Sequence, residues 1–167
     1  MAQGLNTLSE EQVREALGQC CGASRWVEGM MATWPFEDRA ALNASAHSVW
    51  SQMDRKDILE AFDHHPRIGS DLDALRKKFS KTASLSEAEQ VSVASAEEST
   101  LIALRDGNQN YEARYGHIFI VCATGKSAAE MLTILASRMH NNMDIELKIA
   151  AGEQAKITQL RLENIVL

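Results

Sequence analysis

The sequence predicts an all-α fold, a single helical domain of about eight helices with one short, buried, extended segment. Only two prolines and nine glycines occur in 167 residues, which is few turn-forming residues for a β fold with many turns. Apolar residues recur at helical spacing through most of the chain. Only residues 117–125 (HIFIVCATG) form a β-branched, apolar run, and one such run without a partner makes no sheet.

The composition is typical of one globular domain covering residues 1–167. The net charge is −6 and the 17 basic residues are scattered, which disfavours nucleic-acid binding. No apolar run reaches the roughly 18 residues that a membrane span needs, and the first residues lack the pattern of a secretory signal. Three cysteines, two of them adjacent (Cys20 and Cys21), indicate a reducing compartment. We therefore expect a cytoplasmic protein with no nucleic-acid or membrane partner.

The first part of the chain contains four predicted helices. Thr7 and Glu10 have the spacing of a capping box at the start of the first. The second stops before Pro35, and Asp54 is the predicted N-cap of the fourth. The apolar stripes of the four helices are Leu8–Cys21, Trp26–Met31, Leu42–Met53 and Ile58–Phe62.

The second part begins with a short predicted helix over residues 72–79 and a polar loop over 80–86, the weakest candidate for a domain boundary. Ser86 opens a long helix predicted to end around Gly107. Ser127 and Glu130 have capping-box spacing at the start of the next helix, and a last helix is predicted from about Met143 to Leu162.

His65 is the first candidate for chemistry, because histidine titrates nearest neutrality. It precedes Pro66, so the helix before it should end near Asp63 and His65 should be extended. The partial negative charge of a helix C-terminus favours the protonated imidazole, so His65 could attract a carboxylate and pass a proton. The structural alternative is a capping or solvent-facing histidine. A metal site with His64 is disfavoured, since adjacent residues rarely converge on one ion.

The run Ser86-Glu87-Ala88-Glu89-Gln90 is the second candidate. Ser86 and Glu89 form a capping box, and this alone explains both residues. A helix N-terminus also presents free N–H groups to an anion. Glu89 would then accept hydrogen bonds or act as a base at the rim of that site, and the side-chain amide of Gln90 would recognise the ligand through hydrogen bonds.

Two further candidates are the extended segment and the arginines. Backbone groups of residues 117–123 need partners in the interior, and a ligand ring with alternating N–H and C=O edges would match them. Arg138 and Arg161 lie in otherwise apolar stretches, where a guanidinium can bind a carboxylate with two hydrogen bonds. The structural alternatives are salt bridges to Glu146 or Glu163.

Six motifs in one order resemble the family of 2-oxo-4-hydroxy-4-carboxy-5-ureidoimidazoline (OHCU) decarboxylases. They are FDHHPRIGS, SEAEQ, NxxYxxRYG (108–116), FIVCA, RMHN with Glu146 five residues after Asn141, and KITQLRLENIV. Family members often read HPDLAGK where this chain has HPRIGS, and Phe-Pro where it has His117-Ile118. The second departure places a titratable group close to the expected binding segment.

The resemblance implies an all-helical enzyme, often a homodimer, that needs no metal and no cofactor. It implies decarboxylation of the ureide OHCU to (S)-allantoin, the last step of urate oxidation. The implied catalytic residues are His65, Glu89 and Arg161. The implied substrate contacts are Pro66, Ser86, Glu87, Ala88, Gln90, Phe119, Ile120, Val121, Cys122 and Ala123, with Arg138 as the alternative arginine.

Two other function classes stay open on the sequence. One is a helical ureide-binding or regulatory module without catalysis, which need not bring His65, Glu89 and Arg161 together. The other is a metal-dependent hydrolase using His64 or His65, which would need further histidine or carboxylate ligands nearby.

Overall fold

The computed structural model describes residues 4–67, 71–79 and 87–167, and the side chains of 87–96 are outside this description. The described residues contain eight α-helices and a 3-10 turn, with no strand among them, which confirms the all-α prediction. After the turn at Leu5–Thr7, the helices are α1 Glu10–Cys20, α2 Ser24–Met31, α3 Arg39–Trp50, α4 Arg55–Asp63, α5 Leu72–Phe79, α6 Glu87–Tyr115, α7 Ala128–Arg138 and α8 Met143–Glu163.

Two predicted helix starts are confirmed by hydrogen bonds. Asp54 caps α4 in a reciprocal capping box with Asp57, and Ser127 caps α7 in the same way with Glu130. In each pair both partners lie within three residues, so the local sequence is enough to specify the cap.

The predicted start of α1 is wrong by two residues. Ser9, not Thr7, is the N-cap, and it forms a capping box with Gln12 rather than with Glu10. The physical reason is that Thr7 belongs to the preceding 3-10 turn, where its hydroxyl donates to the Gly4 carbonyl at 2.7 Å. The hydroxyl of Thr7 is therefore engaged in the 3-10 turn and does not cap α1.

The predicted end of the long helix at Gly107 is also wrong, because α6 continues without interruption to Tyr115. Gly107 lies in the helix interior, where a Cβ would come within 2.5 Å of Leu135 Cδ2 on α7. The missing side chain lets α6 and α7 approach closely, and α6 packs along α7. This glycine serves packing between helices rather than helix termination.

The described residues cluster into two compact units. Unit 1 consists of residues 1–65, 120–122 and 149–167, and unit 2 of residues 66–119 and 123–148. In unit 1, α2 packs against α1, α3 and α4. Its core is apolar and includes Val13, Leu17, Trp26, Met30, Leu42 and Leu162.

Residues 117–123 form no regular element, in keeping with the expected buried, non-helical segment. Phe119, Ile120 and Val121 are each less than 5% exposed. In the part of the chain that the structure describes, no helix is long and apolar enough to cross a membrane.

Candidate active site

His65 lies on the bend that follows α4. The helix ends at Asp63, as predicted, and the His65 N–H donates to the Phe62 carbonyl at 3.0 Å. Pro66 comes next, has no N–H and disfavours helical backbone in the residue before it. The side chain of His65 is thereby presented, half-buried, at the end of a capped helix.

Gly22, in the loop between α1 and α2, packs directly against the neighbouring ring of His64. A Cβ on Gly22 would lie 2.6 Å from His64 Nδ1 and closer still to its Cγ and Cβ. His64 Nδ1 also donates to the Glu60 carbonyl at 2.9 Å. The loop and α4 together fix His64, and through the shared backbone they restrict His65.

Gln154 on α8 holds the imidazole of His65. Its Oε1 accepts from His65 Nε2 at 2.5 Å, and its Nε2 donates to the hydroxyl of Thr158, one turn later on α8, at 3.1 Å. Gln154 has no exposed surface. His65 is therefore tied to the core of unit 1 by a single, well-placed hydrogen bond.

The pKa of His65 lies below its usual value of 6.5, chiefly because burial penalises the charged ring. The hydrogen bond to Gln154 opposes this effect, and the charges of Arg161 and His64 add to it. Burial thus acts against the expectation that the helix C-terminus favours a cationic His65. A lowered pKa favours the neutral ring, which can accept a proton.

Arg161 lies in the same unit and is close enough to lower the pKa of His65. Its Nη1 donates to the carbonyls of Gln19 and Cys20, at 3.2 and 3.3 Å, where α1 ends. No described residue accepts from its Nε or Nη2, and no described salt bridge joins it to Glu163. The free Nε–Nη2 edge has the geometry for two parallel hydrogen bonds to an oxygen-bearing ligand.

Cys122, in the expected binding segment, is held by the same turn of α8. Its N–H donates to the carboxylate of Glu153 at 2.7 Å, and Glu153 also binds Lys156 at 2.5 Å. Glu153 and Gln154 are consecutive residues. One turn of α8 therefore anchors both the bend at His65 and the half-buried backbone at Cys122.

Arg138 lies in unit 2 and adopts the structural alternative that the sequence left open. It is 5% exposed, its Nε donates to Glu146 Oε1 at 2.7 Å, and its guanidinium lies 4.7 Å from the Phe119 ring centre. Glu146 also accepts from the Tyr111 hydroxyl and from Asn141 Nδ2. This buried network organises unit 2, so Arg161 is the better candidate for a substrate anchor.

The remaining candidates are less well defined. Ser86 and the side chains of Glu87, Ala88, Glu89 and Gln90 lie outside the described residues, and only the start of α6 at Glu87 is described. Pro66 is exposed. His117, the departure from the family pattern, is buried, and its ring lies edge-on to Tyr111 at 5.5 Å. Among the described side chains, no three histidine, cysteine or acidic residues form a cluster suited to a metal ion.

Unit 1 has an open groove whose lining does not include His65. It is about 1000 Å³ in volume and lies between the start of α2, at Ser24 and Arg25, and the side of α4. Its lining mixes both signs of charge, including Arg25 paired with Asp57 at 2.9 Å. Because its charges are already paired in part and it is broad and open, it offers no convergent polar site for a small anion.

Sequence reasoning missed Gly22, Gln154 and Thr158. The signal for Gln154 and Thr158 was available, because they interrupt a buried stripe on α8 that also contains Ala150 and Leu162. A polar residue at a core position requires a partner. No sequence pattern pointed to Gly22, because its role depends on the ring of His64, which lies 42 residues later, directly after α4.

Comparison with known proteins identifies the family of this chain. A sequence model described as OHCU decarboxylase matches residues 6–163. The "Uric acid degradation bifunctional protein TTL" of Arabidopsis thaliana is 37% identical over 148 residues, which cover 87% of this chain and 45% of that protein. The "Uric acid degradation bifunctional protein PucL" of Bacillus subtilis is 24% identical, with 97% of this chain and 32% of that protein covered. The chain thus spans less than half the length of these curated relatives.

Solved structures give the same result. The "Crystal structure of OHCU decarboxylase in the presence of (S)-allantoin" is 34% identical, with a TM-score of 0.69 and coverage of 93% of this chain and 96% of that one. The "Crystal structure of (S)-allantoin synthase", 18% identical with a TM-score of 0.68, covers 97% of this chain and 52% of that one and shows the fold alone. With a family match across nearly its whole length and a 34% identical structure of the same size, this chain belongs to the OHCU decarboxylase family.

Proposed function

We propose that this protein converts OHCU to (S)-allantoin by decarboxylation, as a carbon–carbon lyase of urate breakdown. The observation that carries the proposal is the pair of His65 and Arg161 in unit 1. The ring of His65 is half-buried and held at one nitrogen, and burial lowers its pKa. Arg161, whose charge also lowers this pKa, has no acceptor among the described residues at its Nε–Nη2 edge. This combination suits binding of a polar ring and transfer of a proton.

The chemistry of the substrate explains why these groups suffice. Loss of CO2 breaks the carbon–carbon bond and leaves its electron pair on the ring, where the conjugated imine accepts it. A proton is then taken up, and the ring hydroxyl gives up its own proton as it becomes a carbonyl. Because the substrate contains its own electron sink, we propose that no metal or organic cofactor takes part.

We assign the proton transfers to His65, assisted by Glu89. A neutral imidazole can take the hydroxyl proton and return it to the ring carbon, and such a positioned group contributes roughly 10²–10⁴-fold to the rate. We assign to Arg161 the binding of a carbonyl edge. A cation held on the departing carboxylate would stabilise the ground state more than the transition state, which would slow the step.

The remaining site residues are proposed to hold the ureide in place. Pro66 and the backbone of residues 119–123 would line the ring, with Cys122 set by its bond to Glu153. The N-terminus of α6, from Ser86 to Gln90, would present N–H groups to the substrate's polar edge. Arg138 would act indirectly, by supporting the ring of Phe119.

We further propose a cytoplasmic homodimer. The dimer rests on the family resemblance, and its test is the mass in solution by light scattering. The location is supported by the cysteines: among the described residues, Cys20, Cys21 and Cys122 form no disulfide. Reduced thiols are the usual state in the cytoplasm.

The test is to generate OHCU in situ from urate and follow optically active allantoin by circular dichroism. We expect the protein to accelerate its formation and to give one enantiomer, and we expect addition of a chelator to change nothing. The His65→Asn protein is the control. A rate and an optical signal equal to those of a blank without protein, together with binding of allantoin, would instead identify a ureide-binding module.

A further inference from the structure

The inner face of α8 carries a buried polar chain that begins at His65. Ala150, Gln154, Thr158 and Leu162 recur every four residues along this face, and each is at most 6% exposed. An amide and a hydroxyl at core positions are destabilising unless they are hydrogen-bonded. Here the amide of Gln154 donates to the hydroxyl of Thr158, and the amide oxygen of Gln154 lies within hydrogen-bond distance of His65.

The chain passes from His65 through Gln154 to Thr158. His65 Nε2 lies 2.5 Å from Gln154 Oε1, and Gln154 Nε2 donates to Thr158 Oγ1 at 3.1 Å. The Thr158 hydroxyl at the far end of the chain is buried and carries no charge.

The direction of this chain sets the position of the imidazole proton. With its amide N–H directed to Thr158, Gln154 offers only a carbonyl oxygen to His65, and a carbonyl oxygen only accepts. His65 Nε2 must then carry the proton, which leaves Nδ1 with a lone pair. Among the described residues, no group donates to or accepts from that Nδ1.

We propose that Gln154 is a positioning residue for the decarboxylation: it holds the neutral His65 ring with the proton on Nε2, so that Nδ1 is the nitrogen that exchanges a proton with the substrate. This inference rests on the proposed function. Gln154 acts only through His65. It lies 89 residues after His65 in the sequence and outside the six motifs that carry the family resemblance.

A neutral amide is better suited to this role than a carboxylate would be. A carboxylate beside His65 would also accept from Nε2, but its charge would stabilise the imidazolium and raise the pKa of the ring. Two titratable or charged groups described around the ring, His64 and Arg161, both act in the opposite direction. Gln154 thus fixes the tautomer without converting a base into a cation.

The experiment compares two variants at this position. Gln154→Met keeps the length of the side chain and removes both hydrogen bonds, and Gln154→Glu keeps an acceptor and adds a charge. The matched control is Gln159→Met, on the same helix, since the side chain of Gln159 makes no hydrogen bond to the described residues. The readouts are ¹⁵N spectra of histidine-labelled protein, with the His65 signal assigned from His65→Asn, and kcat and KM as functions of pH.

We expect the wild-type His65 to show the Nε2–H tautomer. In Gln154→Met this preference should be lost and kcat should fall about 10- to 100-fold, the effect of a catalytic group misplaced by about 1 Å, with KM little changed. In Gln154→Glu the Nε2–H tautomer should persist, while the acidic limb of the kcat profile moves to higher pH. Gln159→Met should match the wild type in both readouts.

The two proposals fail separately. Absence of turnover by the wild-type protein would refute the proposed function. An Nδ1–H tautomer in an active wild-type protein, or a Gln154→Met protein with normal kcat and an unchanged tautomer, would refute the role of Gln154. A fall in kcat in Gln154→Met with the Nε2–H tautomer retained would also refute it, because the residue would then act by packing alone.

Discussion

Replacing Gly22 by alanine tests whether the loop between α1 and α2 positions the bend that carries His65. The backbone of Gly22 has no left-handed φ, so alanine meets no conformational penalty there and the whole effect arises from space. The new Cβ would lie 2.6 Å from His64 Nδ1 and closer to two other atoms of that residue. Ordinary contact needs at least 3.4 Å, so His64 must retreat by about 1 Å.

The magnitude follows from two opposing terms. Overpacking of this kind costs about 1–3 kcal/mol, and the loss of glycine's freedom in the unfolded chain returns about 0.4–1 kcal/mol. We expect a net loss of about 1–2 kcal/mol in the free energy of unfolding. Because His64 precedes His65 directly, a displacement of about 1 Å should also lower turnover about 10- to 100-fold.

The measurements are urea denaturation and the circular-dichroism assay of allantoin formation. The matched control is Gly18→Ala in α1, where a Cβ meets nothing within 4 Å. That variant should gain about 0.5–1 kcal/mol in stability and keep wild-type turnover. If Gly22→Ala behaved like Gly18→Ala in both assays, His65 would not depend on this contact, and the account of how the bend is positioned would be wrong.

Three further predictions follow from the site. His65→Asn and Glu89→Ala should each lower turnover at least about a hundredfold with native far-ultraviolet circular dichroism; near-normal turnover by the His65 variant would contradict its assignment. The pKa of His65 is lower in the native protein than in the unfolded chain, so below pH 6.5 the unfolded chain binds a proton more readily. The free energy of unfolding should therefore fall on acidification below pH 6.5, and urea denaturation at several pH values should show a shallower fall in His65→Asn. Arg138→Met should destabilise the protein by about 3–5 kcal/mol, since the buried Glu146 loses the cation that balances its charge. Arg161→Met should instead raise KM with a smaller loss of stability, and the reverse pattern would assign Arg138 to the substrate.

Features that depend on neighbours in the chain could be predicted from the sequence. The caps at Asp54 and Ser127 were predictable because both partners of each hydrogen bond lie within one turn. The end of α4 at Asp63 was predictable because Pro66 restricts the backbone before it. The wrong start at Thr7 came from a second local use of the same side chain, the 3-10 turn at Gly4.

Features that depend on distant residues could not be predicted in this way. Gly107 resembled a helix end, but its function is set by Leu135 on another helix. The sequence shows that His65 follows a helix C-terminus, but it does not show that the ring is half-buried, which lowers its pKa. It also does not show that Glu146 lies beside Arg138 in the core of unit 2, the contact that favours Arg161 as the substrate anchor.

The sequence by itself determined the all-α class, the order of the helices and the family, because helical periodicity, caps and ordered motifs are properties of nearby residues. Only the tertiary structure decided that burial lowers the pKa of His65, that Gln154 holds its Nε2 and that no described residue accepts from the Nε–Nη2 edge of Arg161. Each of these depends on burial or on a hydrogen bond between residues far apart in the chain. Such contacts exist only once the helices have packed.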